Sequence, residues 1–114
     1  MIKDNLIFLE HILENIRDID LFTKGVSKED FIRNKEKQNA VVRSLEIIGE
    51  AVKNISDNLK EKYLSVSWRE IAGTRDRIIH HYFGVDLNII WDIVKINLPE
   101  LNEKIIGIVQ KEKQ

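Results

Sequence analysis

The stretch Ser67-Trp68-Arg69-Glu70-Ile71-Ala72-Gly73-Thr74-Arg75-Asp76-Arg77-Ile78-Ile79-His80-His81-Tyr82 reads as one amphipathic helix with a well-marked start. Ser67 and Glu70 stand three residues apart as a capping box, and Val66 and Ile71 are placed as the hydrophobic staple around it. At about 100° per residue, Trp68, Ile71, Ala72, Ile78 and Ile79 share one broad arc, the face that such a helix buries. Gly84 is the expected stop. Asp86 is the expected cap of the next helix, with Val85 and Ile90 as its staple.

The pattern continues on both sides. Ile2, Leu6, Leu9, Leu13 and Ile16 alternate steps of four and three, which predicts a first amphipathic helix. Gly25 is placed to end it in the left-handed conformation, and Ser27 to cap a new start with Asp30 three residues on and Val26 and Phe31 as staple. Val41, Leu45, Ile48, Val52, Ile55 and Leu59 mark a long second stripe. The polar run 33–39 leaves its beginning open, and the stripe is expected to outrun its helix near residues 56–58. Gly49, beside Ala51, would let another helix approach closely. Pro99 either kinks the helix after Asp86 or opens a last one at its first turn. No segment alternates with period two. The expected fold is therefore all-α: a compact bundle of about five helices in a single domain over residues 1–114.

Composition agrees and excludes several classes of function. One Pro and five Gly in 114 residues leave long helices uninterrupted, and 43% hydrophobic residues suffice for a core. Without cysteine there is neither a disulfide scaffold nor a thiolate zinc site. His11 and Glu14 are two ligand types, which is too few for a metal site, so no metal and no cofactor are expected. The N-terminal residues do not resemble a signal peptide, and no apolar run approaches the roughly 20 residues of a membrane span. A cytoplasmic protein without membrane contact is the expectation. Eighteen Lys and Arg against nineteen Asp and Glu give a net charge of −1, so any contact with nucleic acid must use local positive charge.

One residue breaks the helical pattern. Arg75 falls in the middle of the apolar arc, where a guanidinium is costly unless it is paired or faces a cleft or interface. Tyr82 lies on the same arc two turns on. His80 lies roughly 140° from Arg75 on an ideal helix. The two meet either through a bend near the helix end or through a second copy of the chain, which favours a composite site in a homodimer. Arginine supplies a permanent forked charge for phosphate oxygens, and histidine titrates near neutrality. Together they suit cleavage of an RNA phosphodiester by its own 2′-hydroxyl, with no metal required.

Arg75-Asp76-Arg77-Ile78-Ile79-His80-His81-Tyr82 fits the pattern RxxxxHxY, and Phe83-Gly84-Val85-Asp86-Leu87, Trp91 and the upstream Glu46-Ile47-Ile48-Gly49-Glu50-Ala51 flank it. In these motifs, and in size and helix order over nearly its whole length, the chain resembles the HepT-like toxins of the HEPN superfamily. The resemblance implies a HEPN-like fold, a homodimer and a metal-independent endoribonuclease toxin acting on RNA. It implies that Arg75 and His80 are catalytic and that Asp76 supports them. It further implies a nucleotidyltransferase antitoxin of the MNT type as partner, transferring AMP to Tyr82. Arg69, Arg77 and His81 are candidate RNA contacts.

Simpler readings stand beside these. Arg75 also reads as a structural arginine paired with Glu46 or Glu50, and His80 as a histidine favoured by a helix C-terminus. Tyr82, Trp68 and Trp91 read equally as core or interface aromatics, and residues 111–114 as a fraying end. The alternative function is a helical adapter without catalysis that dimerises and binds a nucleotidyltransferase.

Overall fold

The computed structural model describes residues 2–79 and 86–114, and among these every regular element is helical. The order is α1 (Ile2–Thr23), α2 (Lys28–Arg33), α3 (Lys35–Asn54), α4 (Asp57–Lys62), α5 (Trp68–Ala72), α6 (Thr74–Ile79), α7 (Leu87–Asp92), a π-helical stretch (Ile93–Asn97) and α8 (Leu98–Glu112). The boundaries follow local chemistry. Gly25 takes φ +71°, which closes α1 without a Cβ penalty. The Ser27 hydroxyl accepts from the Asp30 amide at 3.1 Å, as expected for a cap. The break in the polar run falls at Asn34, whose side chain accepts from the Lys37 amide at 3.0 Å and so starts α3.

The first stripe is placed slightly differently from its sequence reading. Leu9, Ile12, Ile16 and Ile19 are the buried line of α1, with Leu6 and Leu13 flanking it half-buried. The α3 stripe is buried throughout, from Val41 to Leu59. It does outrun its helix: α3 ends at Asn54, Ile55 is the C-cap, and Leu59 belongs to α4, which Ser56 caps. Ser56 also exchanges two hydrogen bonds with the side chain of Asn5, each 3.0 Å, which pins the start of α1 to this junction. α1 packs chiefly on α3 and then on α8, so the core lies between these three long rods.

Pro99 opens the last helix, the second of the two roles its position allowed. Its ring nitrogen cannot donate into the preceding turn, and the helix widens there: the Leu98 amide reaches back five residues to the carbonyl of Ile93. α8 then starts with Pro99 in its first turn. The C-terminal end does not fray as expected. The Glu112 carboxylate accepts from Tyr63 Oη at 2.6 Å and from Lys62 Nζ at 2.9 Å, which ties the last turn of α8 to the end of α4. Among the described residues, no helix is long and apolar enough to cross a membrane.

Candidate active helix and family membership

The predicted helix over residues 68–82 is divided at Gly73 into α5 and α6. The amide of Gly73 still reaches the carbonyl of Arg69 and the amide of Arg77 reaches that of Gly73, so the two segments follow one another closely. Thr74, buried, donates its hydroxyl to the carbonyl of Glu70 at 3.1 Å and secures the junction. Arg75 is therefore the second residue of a new helix rather than the middle of a long one.

The predicted capping box at the start of this segment does not form. Ser67 occupies the N-cap position, but its hydroxyl caps nothing. Its φ of −82° and ψ of 65° form an inverse γ-turn, in which the Trp68 amide donates to the Val66 carbonyl at 2.9 Å. The indole of Trp68 fixes this geometry by donating to the Tyr63 carbonyl at 3.0 Å. A contact between the α5 entry and the end of α4 thus outweighs the local cap.

α5 packs on α3 at Gly49, which faces the carbonyls of Ile71 and Ala72, and Ile78 anchors α6 in the core at 1% exposure. Asp76 and Arg77 are exposed, as is Arg69 on α5. Glu46 on α3 and Asp76 on α6 are both engaged in polar interactions. His80, His81 and Tyr82, together with the expected stop at Gly84 and staple residue Val85, lie outside the described residues; the backbone of Arg75 lies within them. Beyond this segment, Asp86 caps α7 as expected, its carboxylate accepting from the amides of Asn88 and Ile89 at 3.1 and 3.2 Å.

A cleft of about 120 Å³ opens between α5–α6, α3 and the π-helical stretch with α8. Its floor is apolar, with Leu45, Ile48 and Leu101, and its rim carries Glu70, Arg77 and Lys104. Lys104 is held there by the Ser65 carbonyl at 2.7 Å and by Glu100 at 3.0 Å. Arg77 faces this cleft and Arg69 a neighbouring hollow that shares Val66, Ser67 and Glu70. Sequence reasoning did not find the cleft, because its walls come from three separate segments of the chain and no local pattern links them. Among the described residues, no group of three or more His, Cys, Asp or Glu is arranged to hold a metal ion.

The family model for HepT-like ribonucleases matches residues 12–108. The chain belongs to this family. The HepT-like match covers the core helices as well as the motif, in line with the resemblance carried by residues 75–82 and 46–51. A Caldanaerobacter subterraneus subsp. tengcongensis protein named "Putative RNase" is 49% identical over 106 residues, 93% of this chain and 95% of its own. A Methanocaldococcus jannaschii protein of the same description is 46% identical over 108 residues, 95% of this chain and 89% of its own. A Thermococcus cleftensis protein named "Probable ribonuclease HepT" is 47% identical over 97 residues, 85% of this chain and 88% of its own. No solved structure matches this HepT-like chain.

Proposed function

We propose that this chain is a metal-independent endoribonuclease toxin that acts as a homodimer, with Arg75 and His80 as its catalytic residues and Asp76 as their support. The observation that carries this reading is membership of the HepT-like ribonuclease family by a chain that keeps Arg75, His80 and Tyr82 at RxxxxHxY spacing, the arginine in the first turn of α6. In the proposed reaction the substrate's 2′-oxygen bonds to phosphorus and the P–O5′ bond breaks. A histidine takes the hydroxyl proton, and an acid returns one to the departing 5′-oxygen. The Arg75 guanidinium offsets the charge that builds on the phosphorane oxygens. Because Arg75 and His80 stand roughly 140° apart on one ideal helix, two protomers would bring the arginine of one and the histidine of the other into a single site.

The same reading includes a nucleotidyltransferase antitoxin that silences the toxin. The Tyr82 phenolic oxygen attacks the α-phosphorus of ATP, pyrophosphate leaves, and the resulting phosphodiester carries a negative charge and a bulky nucleoside. Placed at the mouth of the site, that group excludes RNA and occupies the arginines.

The test is cleavage of RNA by the purified chain, free of partner, in excess EDTA beside a His80→Ala variant matched for folding. Cleavage that survives the chelator and disappears in the variant is expected. The net charge of −1 favours a second reading, a helical adapter without catalysis that binds a nucleotidyltransferase. Absence of cleavage across several RNAs, after intact mass shows no attached AMP, would put that reading first.

A further inference from the structure

A chain of net charge −1 that cuts RNA needs positive charge gathered in one place, and the structure gathers it at the corner between α2 and α3. Residues 24–37 carry five cations, Lys24, Lys28, Arg33, Lys35 and Lys37, against the carboxylates of Glu29, Asp30 and Glu36. Arg33, Lys35 and Lys37 line one open hollow over the backbone of Gly25 and Asn34, with Asp30 its single acid. Arg33 and Lys35 are exposed, and among the described residues neither has a carboxylate within ion-pair distance. Lys37 donates to the Phe22 carbonyl at 3.0 Å, which fixes its ammonium at the rim.

A fourth exposed cation, from the other end of the chain, stands over an aromatic that packs on α2. Phe31 of α2, fully buried, packs on Trp91 of α7 with ring centroids 5.4 Å apart. The Lys95 ammonium sits over that same indole, 4.8 Å from its centroid, while Lys95 remains exposed. The cation–π contact orders the side chain without neutralising it. Helix α7, which follows segment 80–85 in the chain, is thereby tied to α2, the helix that carries Arg33.

We infer that Arg33, Lys35 and Lys95 form an anchor for the sugar–phosphate backbone of RNA, distinct from the catalytic motif; this rests on the ribonuclease reading above. Unpaired lysines and arginines on a rigid corner suit phosphate positioning, which needs charge and no base readout. An acidic protein fits less well, because the hollow offers only Val26 as an apolar lining residue, and the cores of protein interfaces are depleted in lysine. Ile32, exposed beside the hollow, is the one feature that would suit a protein.

The experiment uses the full chain and its triple variant R33A/K35A/K95A. Binding is read by anisotropy on an uncleavable 2′-O-methyl RNA of about 20 nucleotides, across a series of salt concentrations. Cleavage is read separately on a dinucleotide. The triple variant is expected to bind the long RNA on the order of tenfold more weakly, with a salt slope smaller by about 2, near 0.7 for each lost phosphate contact. Its dinucleotide cleavage and melting temperature stay at the native values. The single variant Lys35→Gln, a small change on an exposed side chain, should lower the slope by about 0.7.

Unchanged affinity for the long RNA overturns the anchor and leaves an acidic protein as the occupant of the corner. Equal losses on the long RNA and the dinucleotide also overturn it, by placing these residues in the catalytic site or in the fold. A native chain that binds the long RNA but cuts nothing removes the ribonuclease reading and keeps the anchor. A native chain that cuts RNA, with a variant that binds as tightly, does the reverse. No binding by the native chain overturns the anchor, and the ribonuclease reading is then decided by dinucleotide cleavage alone.

Discussion

A Cβ placed on Gly49 would lie 3.4 Å from the carbonyl oxygen of Ile71, so α3 and α5 touch backbone to backbone where the motif-bearing segment leans on the core. The contact is close but not too close for a methyl group. Gly49→Ala should be tolerated and should stabilise the chain by up to about 1 kcal/mol through helix propensity. Gly49→Leu should push α5 outward at a cost of about 1–3 kcal/mol and lower cleavage with it. Thermal melts of the two variants check this; a melting point lowered by the alanine would contradict the spacing.

The start of α7 is set by one side chain. Asp86→Ala removes the acceptor for the Asn88 and Ile89 amides and should cost about 1 kcal/mol, while Asp86→Asn should retain most of the cap. Because α7 receives the chain from segment 80–85, cleavage should follow the same order as stability. Equal activity in all three proteins would show that the cap does not bear on the site.

The Glu112 carboxyl is held below its usual range by the Tyr63 hydroxyl first and the Lys62 ammonium second. A carboxyl with a lowered folded pKa contributes stability that is full above its unfolded value of 4.5 and is lost as pH falls through the folded value. Tyr63 is raised above its ordinary 10.0, chiefly by the bond to Glu112, so its contribution is full below that pH and lost as pH rises through the folded value. The advantage of the native chain over Glu112→Gln should therefore shrink below about pH 4.5. Tyr63→Phe should cost no more than about 1 kcal/mol at neutral pH, since the cluster is partly solvated. Melting curves across pH measure both effects, and a native advantage over Glu112→Gln that grows on acidification would contradict the sign.

If each site draws Arg75 from one protomer and His80 from the other, Arg75→Ala and His80→Ala are each inactive alone. Mixing them after dissociation and reassociation should restore part of the native rate. A fully active monomer would rule out the shared site.

Tyr82→Phe should keep its ribonuclease activity and escape silencing when incubated with the nucleotidyltransferase and ATP. Mass spectrometry locates the added AMP. Transfer to a residue other than Tyr82 would remove it from the proposal.

The all-helical fold was legible before any coordinates because helices are built from short-range interactions. The four-three stripe of α3, the left-handed Gly25, the Ser27 cap and the Asp86 cap each involve residues within about one turn of each other and are found, while the buried line of α1 is shifted to Leu9, Ile12, Ile16 and Ile19. The motif residues were legible for a different reason. Arg75 interrupts an apolar arc at a cost that packing alone does not require, and His80 stands out by its chemistry and its place in the RxxxxHxY pattern.

Where two local signals competed with a contact from another helix, the contact between helices won. Ser67 and Glu70 have the spacing of a capping box, yet the Trp68 indole, seated on the Tyr63 carbonyl, turns the backbone at Ser67 away from it. Residues 111–114 look like a loose charged end, yet Glu112 meets Tyr63 across 49 positions of sequence. The cleft facing Arg77 and the packing of Phe31 on Trp91 have the same origin. The sequence by itself determined that the described segments are helical and which face of α3 is buried, and it nominated Arg75, His80 and Tyr82 for chemistry. Tertiary structure alone decided which helix ends meet, because that depends on how preformed faces pack on one another, and no periodicity within one helix records its neighbour.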